Sequence, residues 1–391
     1  MTLFQELRHL LKKNIREYGM YIALLVIVIA FGLATDGLFI SPRNISTLLN
    51  QTGYIMVLAV GMTLIIVCQY IDLSVGYLAG FSGAIAAILM TQYGVSEWVA
   101  IPVVMIFGLI VGIFNGFLVG QLGIPAYVVS LAGMFIWRGL LLMATNKTGT
   151  IIIPNKGFNA IGNGFIPDIV ENNEFHVLTL IIGALGILIY IISAIRNRQS
   201  KIRYGFEVLS KPLFIIKLIF ISFIIGLLSW IIADYNGLSW TVIICLLVVG
   251  IYHFITQKTT LGRHIYAMGG NRNAAQLAGI SVKKITFIIF ASMGMLSAVS
   301  GILYTSRLQS ATTTAGTMFE LDAIASAFVG GASASGGVGK VTGSIVGALV
   351  MAALTNGMNL MGVDISYQYA IRGAVLVLAV FFDVTTRKRG K

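Results

Sequence analysis

Apolar residues in this chain run in long blocks, and short polar stretches separate one block from the next. The blocks cover roughly residues 20–35, 53–68, 77–91, 98–118, 126–144, 177–195, 213–233, 238–256, 285–304, 321–335, 343–360 and 368–383. Most approach the ~20 residues that a helix needs to span a bilayer, and a few are shorter. The pattern predicts an all-α polytopic membrane protein with about 12 transmembrane helices and both termini on one side. No polar stretch is long enough for an independent soluble domain, so residues 1–391 read as a single transmembrane domain. Its polar parts are an N-terminal flank (1–19), a far-side loop (145–176), two near-side loops (196–212 and 257–284) and a tail (384–391).

Composition agrees with a membrane class. Hydrophobic residues make up 57% of the chain and charged residues 10%, with a mean hydropathy of +0.92. Soluble domains carry about 25% charge, so a large soluble core is excluded. The net charge of +12 is set by topology. With the crossings above, about twenty of the 26 Lys and Arg fall on the terminal side and about four opposite. That asymmetry places both termini in the cytoplasm and excludes a nucleic-acid-binding face. Arg8, Lys12, Lys13 and Arg16 precede an apolar run with no A-x-A cleavage text, which reads as a first spanning helix. Cys68 and Cys245 lie in apolar runs, so no disulfide framework is implied. His9, His176, His253 and His264 are scattered without ligand spacing, so no metal is assigned.

Several polar groups interrupt the apolar blocks. Gly108, Gly112, Gly116 and Gly120 fall on one helix face, and Gly343 and Gly347 repeat the spacing; small residues so placed let membrane helices touch. In the run from Gln69 to Gly76, Asp72 and Ser74 have two readings. They shape a broken helix beside a permeation path, or Asp72 caps a helix that begins near Ser74. Arg138 within a span could donate to a hydroxyl of a bound solute, or pair with a carboxylate or helix-end carbonyls, or snorkel. Asn115, Gln121, Asn356 and Asn359 suit either a polyol or helix–helix hydrogen bonds. The Gly330–Lys340 run looks like a phosphate loop, but Val341 follows Lys340 where Ser or Thr is required. The chain therefore has no recognisable ATP site. A faint echo between Ile71-Asp72-Leu73 and Glu320-Leu321-Asp322 leaves two related halves open.

The most informative stretch is the near-side loop TTLGRHIYAMGGNRNAAQLAGISVKK, Thr259 to Lys284. A turn with basic flanks would explain its glycines and Arg263, Lys283 and Lys284, but not a short Ala-rich helix over about Asn271 to Leu277. Such a helix between glycines can seat in a partner's groove. The loop closely resembles the ATPase-coupling loop of sugar permeases in ATP-binding-cassette importers of the ribose/xylose branch. The residues that carry the likeness are Gly262, Arg263, Tyr266, Ala267, Gly269, Gly270, Asn271, Ala274, Ala275, Gly279 and Ile280. The same branch is matched by NISTLLNQTGYIMVLAVG (44–61), IDLSVG (71–76), LGIP (122–125), SLAG (130–133) and FVGGASASGGVGKVTGS (328–344), so the likeness covers about 44–391. An extra apolar pair at 177–195 and 213–233 resembles the xylose and multiple-monosaccharide permeases rather than the ribose ones.

The resemblance implies a permease homodimer in a bacterial cytoplasmic membrane, two copies of a cytoplasmic ATPase that hold ATP and Mg, and an extracytoplasmic sugar-binding protein. It implies monosaccharide import by alternating access, with Asp72, Ser74, Asn115, Arg138 and Asn356 as candidate path residues. No cofactor belongs to this chain itself. The alternatives are an ion-coupled secondary transporter, or an importer permease for nucleosides or branched-chain amino acids. The first needs intramembrane carboxylates, and only Asp72 presents itself. The amino-acid alternative calls for more buried charge than the sequence offers. A membrane-embedded enzyme lacks any His/Asp/Glu cluster within the spans.

Overall fold

The structure is a computed structural model that describes residues 15–146, 149–170 and 174–388. Arg8, His9, Lys12, Lys13 and the last residues of the basic tail lie outside that description. The chain forms α1 (Ile15–Ala34), α2 (Pro42–Val67), α3 (Val75–Thr91), α4 (Glu97–Gly120), α5 (Ala126–Thr145) and the short α6 (Lys156–Asn163). It continues with α7 (Val177–Arg203), α8 (Lys211–Ala233), α9 (Trp240–Lys258), α10 (Thr260–Gly270) and α11 (Arg272–Leu277). It closes with α12 (Val282–Leu308), α13 (Phe319–Val329), α14 (Val341–Leu360) and α15 (Ile365–Lys388). Among the described residues nine helices are long and apolar enough to cross a membrane. Two three-residue strands, β1 (Thr150–Ile152) and β2 (Ser310–Thr312), pair antiparallel with Ile151 opposite Ala311.

The two longest bundle helices form the centre. α2 and α12 have 26 and 27 residues, so each is roughly 40 Å long. The apolar stretch of α2 is 89% buried and that of α12 72%. α4 lies along α12 through its glycine column, because a Cβ at those positions would strike backbone. At Gly108 it would come within 2.4 Å of the Gly294 carbonyl, and at Gly112 within 2.3 Å of that of Phe290. Gly116 and Gly120 meet Phe287 and Lys283 in the same register. Gly343 and Gly347 do the same for α14, against the carbonyls of Gly330 and Ser326 on the α13 side. By contrast α7 and α8 pack on each other, and their apolar stretches are 11% and 0% buried. The extra pair is a peripheral hairpin.

Both central helices end in the same way. Gln69 follows α2 in the left-handed region (φ 62), and Gln309 follows α12 in that region (φ 55). Each is followed by non-helical chain and then by a shorter helix, α3 or α13. Gly76 and Gly316, each seven residues after its glutamine, stand backbone to backbone: a Cβ on either would lie within 2.5 Å of the other's carbonyl. The plan of long helix, break, shorter helix and long helix therefore occurs twice, over residues 42–120 and 282–360. The matching positions are 240 residues apart, whereas the sequence echo of Asp72 with Asp322 is 250 apart and pairs the wrong residues.

Two apolar blocks differ from their helices for local reasons. α13 stops at Val329 because Gly330 and Gly331 (φ +87) turn the chain, although small apolar residues continue beyond it. α7 runs on to Arg203, through basic residues that a bilayer would exclude.

Candidate coupling surface and membrane-depth site

The near-side loop is mostly helical. Thr259 caps α10 by accepting from the Gly262 amide (3.3 Å). Gly262 is required there, since a Cβ would come within 2.3 Å of the Thr256 carbonyl at the end of α9. Ile265 and Met268 bury one face of α10, while Arg263 and Ala267 are exposed on the other. Asn271 then caps α11 through its side chain, which accepts from the Ala274 amide (3.0 Å). Gly279 (φ +82) supplies the left-handed turn out of α11, and Ile280 packs on the core. Ala275 is buried and holds α11 down; Ala274 is exposed, and Leu277 at the tip is 90% exposed.

This loop is locked to two other near-side turns through backbone atoms. A Cβ on Gly269 would lie 1.8 Å from the Val67 carbonyl oxygen, whereas Gly270 faces open space. Gln69 Nε2 donates to the carbonyls of Gly269 (2.9 Å) and Ser335 (2.8 Å). The Gly337 amide donates to Val67 O (2.9 Å), and the Tyr266 hydroxyl donates to Gly339 O (2.6 Å). Arg272 lies over the Tyr70 ring, 5.7 Å from its centroid. The Gly-rich 330–340 turn thus serves as a bracket for α10 and for the end of α2. The sequence reading passed over Gln69, whose signal was an amide just after an apolar block, ahead of the IDLSVG text.

From that bracket the chain enters the bundle as the 70–74 segment. The Tyr70 hydroxyl meets Thr286 Oγ1 (3.0 Å), and Ser130 Oγ donates to Ile71 O (3.4 Å). Asp72 is 3% exposed, and its Oδ1 accepts from the Ser74 amide (2.9 Å) and Ser74 Oγ (2.6 Å). Two bonds to a carboxylate, each worth roughly 1.5–3 kcal/mol, offset the ~2.5–3.5 kcal/mol of placing an acid at membrane depth. Asp72 and Ser74 therefore build the entry into α3, and Ser74 packs against Gly133 of α5. Where α3 meets the second break, Tyr54, Tyr304 and Phe319 form an aromatic triangle with centroids 4.6–5.0 Å apart. Glu320 is buried beside Gly76, and its Oε2 has no hydrogen-bond partner among the described residues.

The other path candidates do not converge on this point. Asn115 is buried on the α4 face that carries Gly112 and Gly116. Arg138 is exposed on α5, its guanidinium carbon 5.6 Å from the Tyr77 ring centroid. Asn356 forms a reciprocal amide pair with Asn44, at 2.9 and 3.1 Å, joining α14 to α2. Gln368 Nε2 donates to Asn359 Oδ1 (2.7 Å) in the same way, between α15 and α14. Asp322 of α13 forms an ion pair with Arg372 of α15. Both were visible as charges in apolar blocks, but 50 residues separate them and only the fold joins them.

Comparison with known proteins agrees with these elements. The family model described as "Branched-chain amino acid transport system / permease component" matches residues 44–380. The xylose transport system permease protein of Haemophilus influenzae is 39% identical over 96% of this chain and 98% of its own length. The corresponding xylose protein of Escherichia coli K12 is 36% identical over 96% and 93%, and the ribose import permease of that strain 31% identical over 96% of each. No solved structure matches the chain. The match spans both helix breaks, the α10–α11 segment and the Gly-rich bracket, and the chain belongs to the ribose/xylose-type permease family of ATP-binding-cassette importers, as a multi-pass protein of the inner membrane.

Proposed function

We propose that this chain is the membrane-spanning subunit of a monosaccharide importer, with xylose or a set of aldoses as cargo. It acts as a homodimer with two cytoplasmic ATPase subunits that hold ATP and Mg, and with an extracytoplasmic sugar-binding protein that delivers cargo. The twelve crossings run from α1 to α15 with both termini cytoplasmic, taking the short α3 and α13 as crossings completed by their non-helical lead-in segments.

The observation that carries this reading is the backbone lock of Gly269, Gln69 and Gly337. An ATPase that grips exposed Leu277 and Ala274 moves α11. Through the Asn271 cap it moves α10, and through Gly269 it moves the end of α2. The 70–74 segment and α3 follow, so a push at the surface reaches the bundle interior. ATP must favour one state of the bundle over the other; that free energy enters at α11 and passes through this lock. Cargo selection rests with the binding protein, and the permease alone holds sugar at roughly millimolar affinity, about −4 kcal/mol.

One observation favours an ion-coupled alternative: Glu320 is a buried carboxylate whose Oε2 lacks a hydrogen-bond partner among the described residues. Proteoliposomes separate the two. Xylose uptake that requires ATPase, ATP and binding protein, and survives a protonophore, supports the importer. Uptake by the chain alone that collapses with the ion gradient refutes it.

A further inference from the structure

Between α2, α13, α14 and α15 lies a cleft of about 230 Å³. Its lining includes Gln51, Tyr54, Asp322, Thr355 and Arg372, with Asn359 from the last turn of α14. Tyr54 also belongs to the aromatic triangle beside the Gly76–Gly316 contact, so the cleft ends where the two helix breaks meet. The Asp322–Arg372 pair keeps 24% and 20% of its side-chain surface exposed, which leaves it accessible from the cleft.

An ion pair is a poor choice for fastening α15 alone. Replacing a buried pair by apolar residues of similar volume is often neutral or stabilising. Ionisable groups at membrane depth mark polar pathways for the same reason. The chemistry here is that of a neutral polyol: a carboxylate and an amide oxygen to accept from hydroxyls, a guanidinium to donate, and a phenol ring for a C–H face. The charges neutralise each other, so a neutral solute need not separate them. A zwitterion would.

Resting on the importer reading above, we propose that this cleft is the outer-side holding site for a monosaccharide, with its hydroxyls on Asp322, Arg372 and Asn359 and its ring against Tyr54. The permease is tested with its ATPase and binding protein in liposomes. At saturating sugar-loaded binding protein, Asp322→Asn and Arg372→Gln should each cut the maximal uptake rate by about tenfold. The exchange Asp322→Arg/Arg372→Asp should restore thermal stability but not the uptake rate. Recovery of both would reduce the pair to a helix fastener and overturn the proposal. As a second arm, Thr355→Cys is placed in a background lacking Cys68 and Cys245 and treated with a small methanethiosulfonate. Xylose or ribose at about 100 mM should slow labelling, and L-leucine should not. Equal rates with and without sugar, or protection by leucine, would overturn the sugar assignment. Wild-type liposomes that import no sugar would sink the importer reading instead, and the labelling arm would still decide the cleft.

Discussion

Gly269 and Gly270 are adjacent, both in the last turn of α10, yet their surroundings differ sharply. Replacing either by Ala removes the same helix penalty, up to about 1 kcal/mol. At Gly270 that gain stands alone, because nothing lies within 4 Å of the new methyl. At Gly269 the methyl would start 1.8 Å from the Val67 carbonyl oxygen, where ordinary contact begins near 3.4 Å. The backbones must separate by about 1.6 Å, the difference between those distances. The bonds from Gln69 to Gly269 and from Gly337 to Val67, both 2.9 Å, would stretch past hydrogen-bonding range. Two such bonds are worth about 1–3 kcal/mol together. The bracket should therefore open roughly 5- to 150-fold more often in Gly269→Ala. Hydrogen exchange of the amides at 265–275 and 336–339, in detergent or nanodiscs, measures this, with sugar uptake as the functional readout. Faster exchange and lost uptake are expected for Gly269→Ala, and wild-type behaviour for Gly270→Ala. Equal protection in the two variants would refute the claim that α10 is pinned to α2 through its backbone.

The Asn44–Asn356 pair is a helix fastener in this account, so a double-mutant cycle with Ala at both positions should give a coupling of about 0.6 to 1.7 kcal/mol, read from thermal unfolding. In the outer loop, Asp168 is partly desolvated, which raises its pKa, but amide bonds from Leu178, Val177 and Ile169 and the neighbouring His176 hold the carboxyl below its usual value. A folded value below the unfolded ~3.9 adds stability above pH 4 and loses it as acid reaches the folded value. Asp168→Asn should lower the melting temperature at pH 7, and the gap to wild type should close on acidification. Single cysteines at Lys156 and Gln276, in a background lacking Cys68 and Cys245, should label only from the extracytoplasmic and cytoplasmic sides respectively; the reverse pattern would invert the topology.

Much of this architecture was legible in the sequence because lipid imposes long apolar blocks, and because Gln69–Gly76 cuts one block with polar text. The α11 helix was legible too, as an Ala-rich run between glycines. α10 was not: eleven residues with three glycines look like a loop, and the buried Ile265 and Met268 stabilise it only once α2 stands behind them. The role of the Gly-rich turn was hidden for the same reason, since Gly336 and Gly337 act through contacts with residues more than 60 positions away. Among the candidate path residues, Asn356 and Asp72 hydrogen-bond within the fold; Tyr54 and the Asp322–Arg372 pair, which were not among those candidates, take their places from helices far apart in sequence.

In the proposed cycle, ATP-derived free energy enters at the tip of α11. Leu277 is 90% exposed there and contributes little to the chain's own packing. Leu277→Asp places a charge at the proposed seat of the ATPase without disturbing the Gly269–Gln69–Gly337 lock. The decisive measurement is ATP-dependent sugar uptake and ATPase co-purification for this variant, with its melting temperature recorded alongside. An unchanged melting temperature with both association and uptake lost is expected. Association and uptake at wild-type levels, in a protein that melts normally, would contradict it.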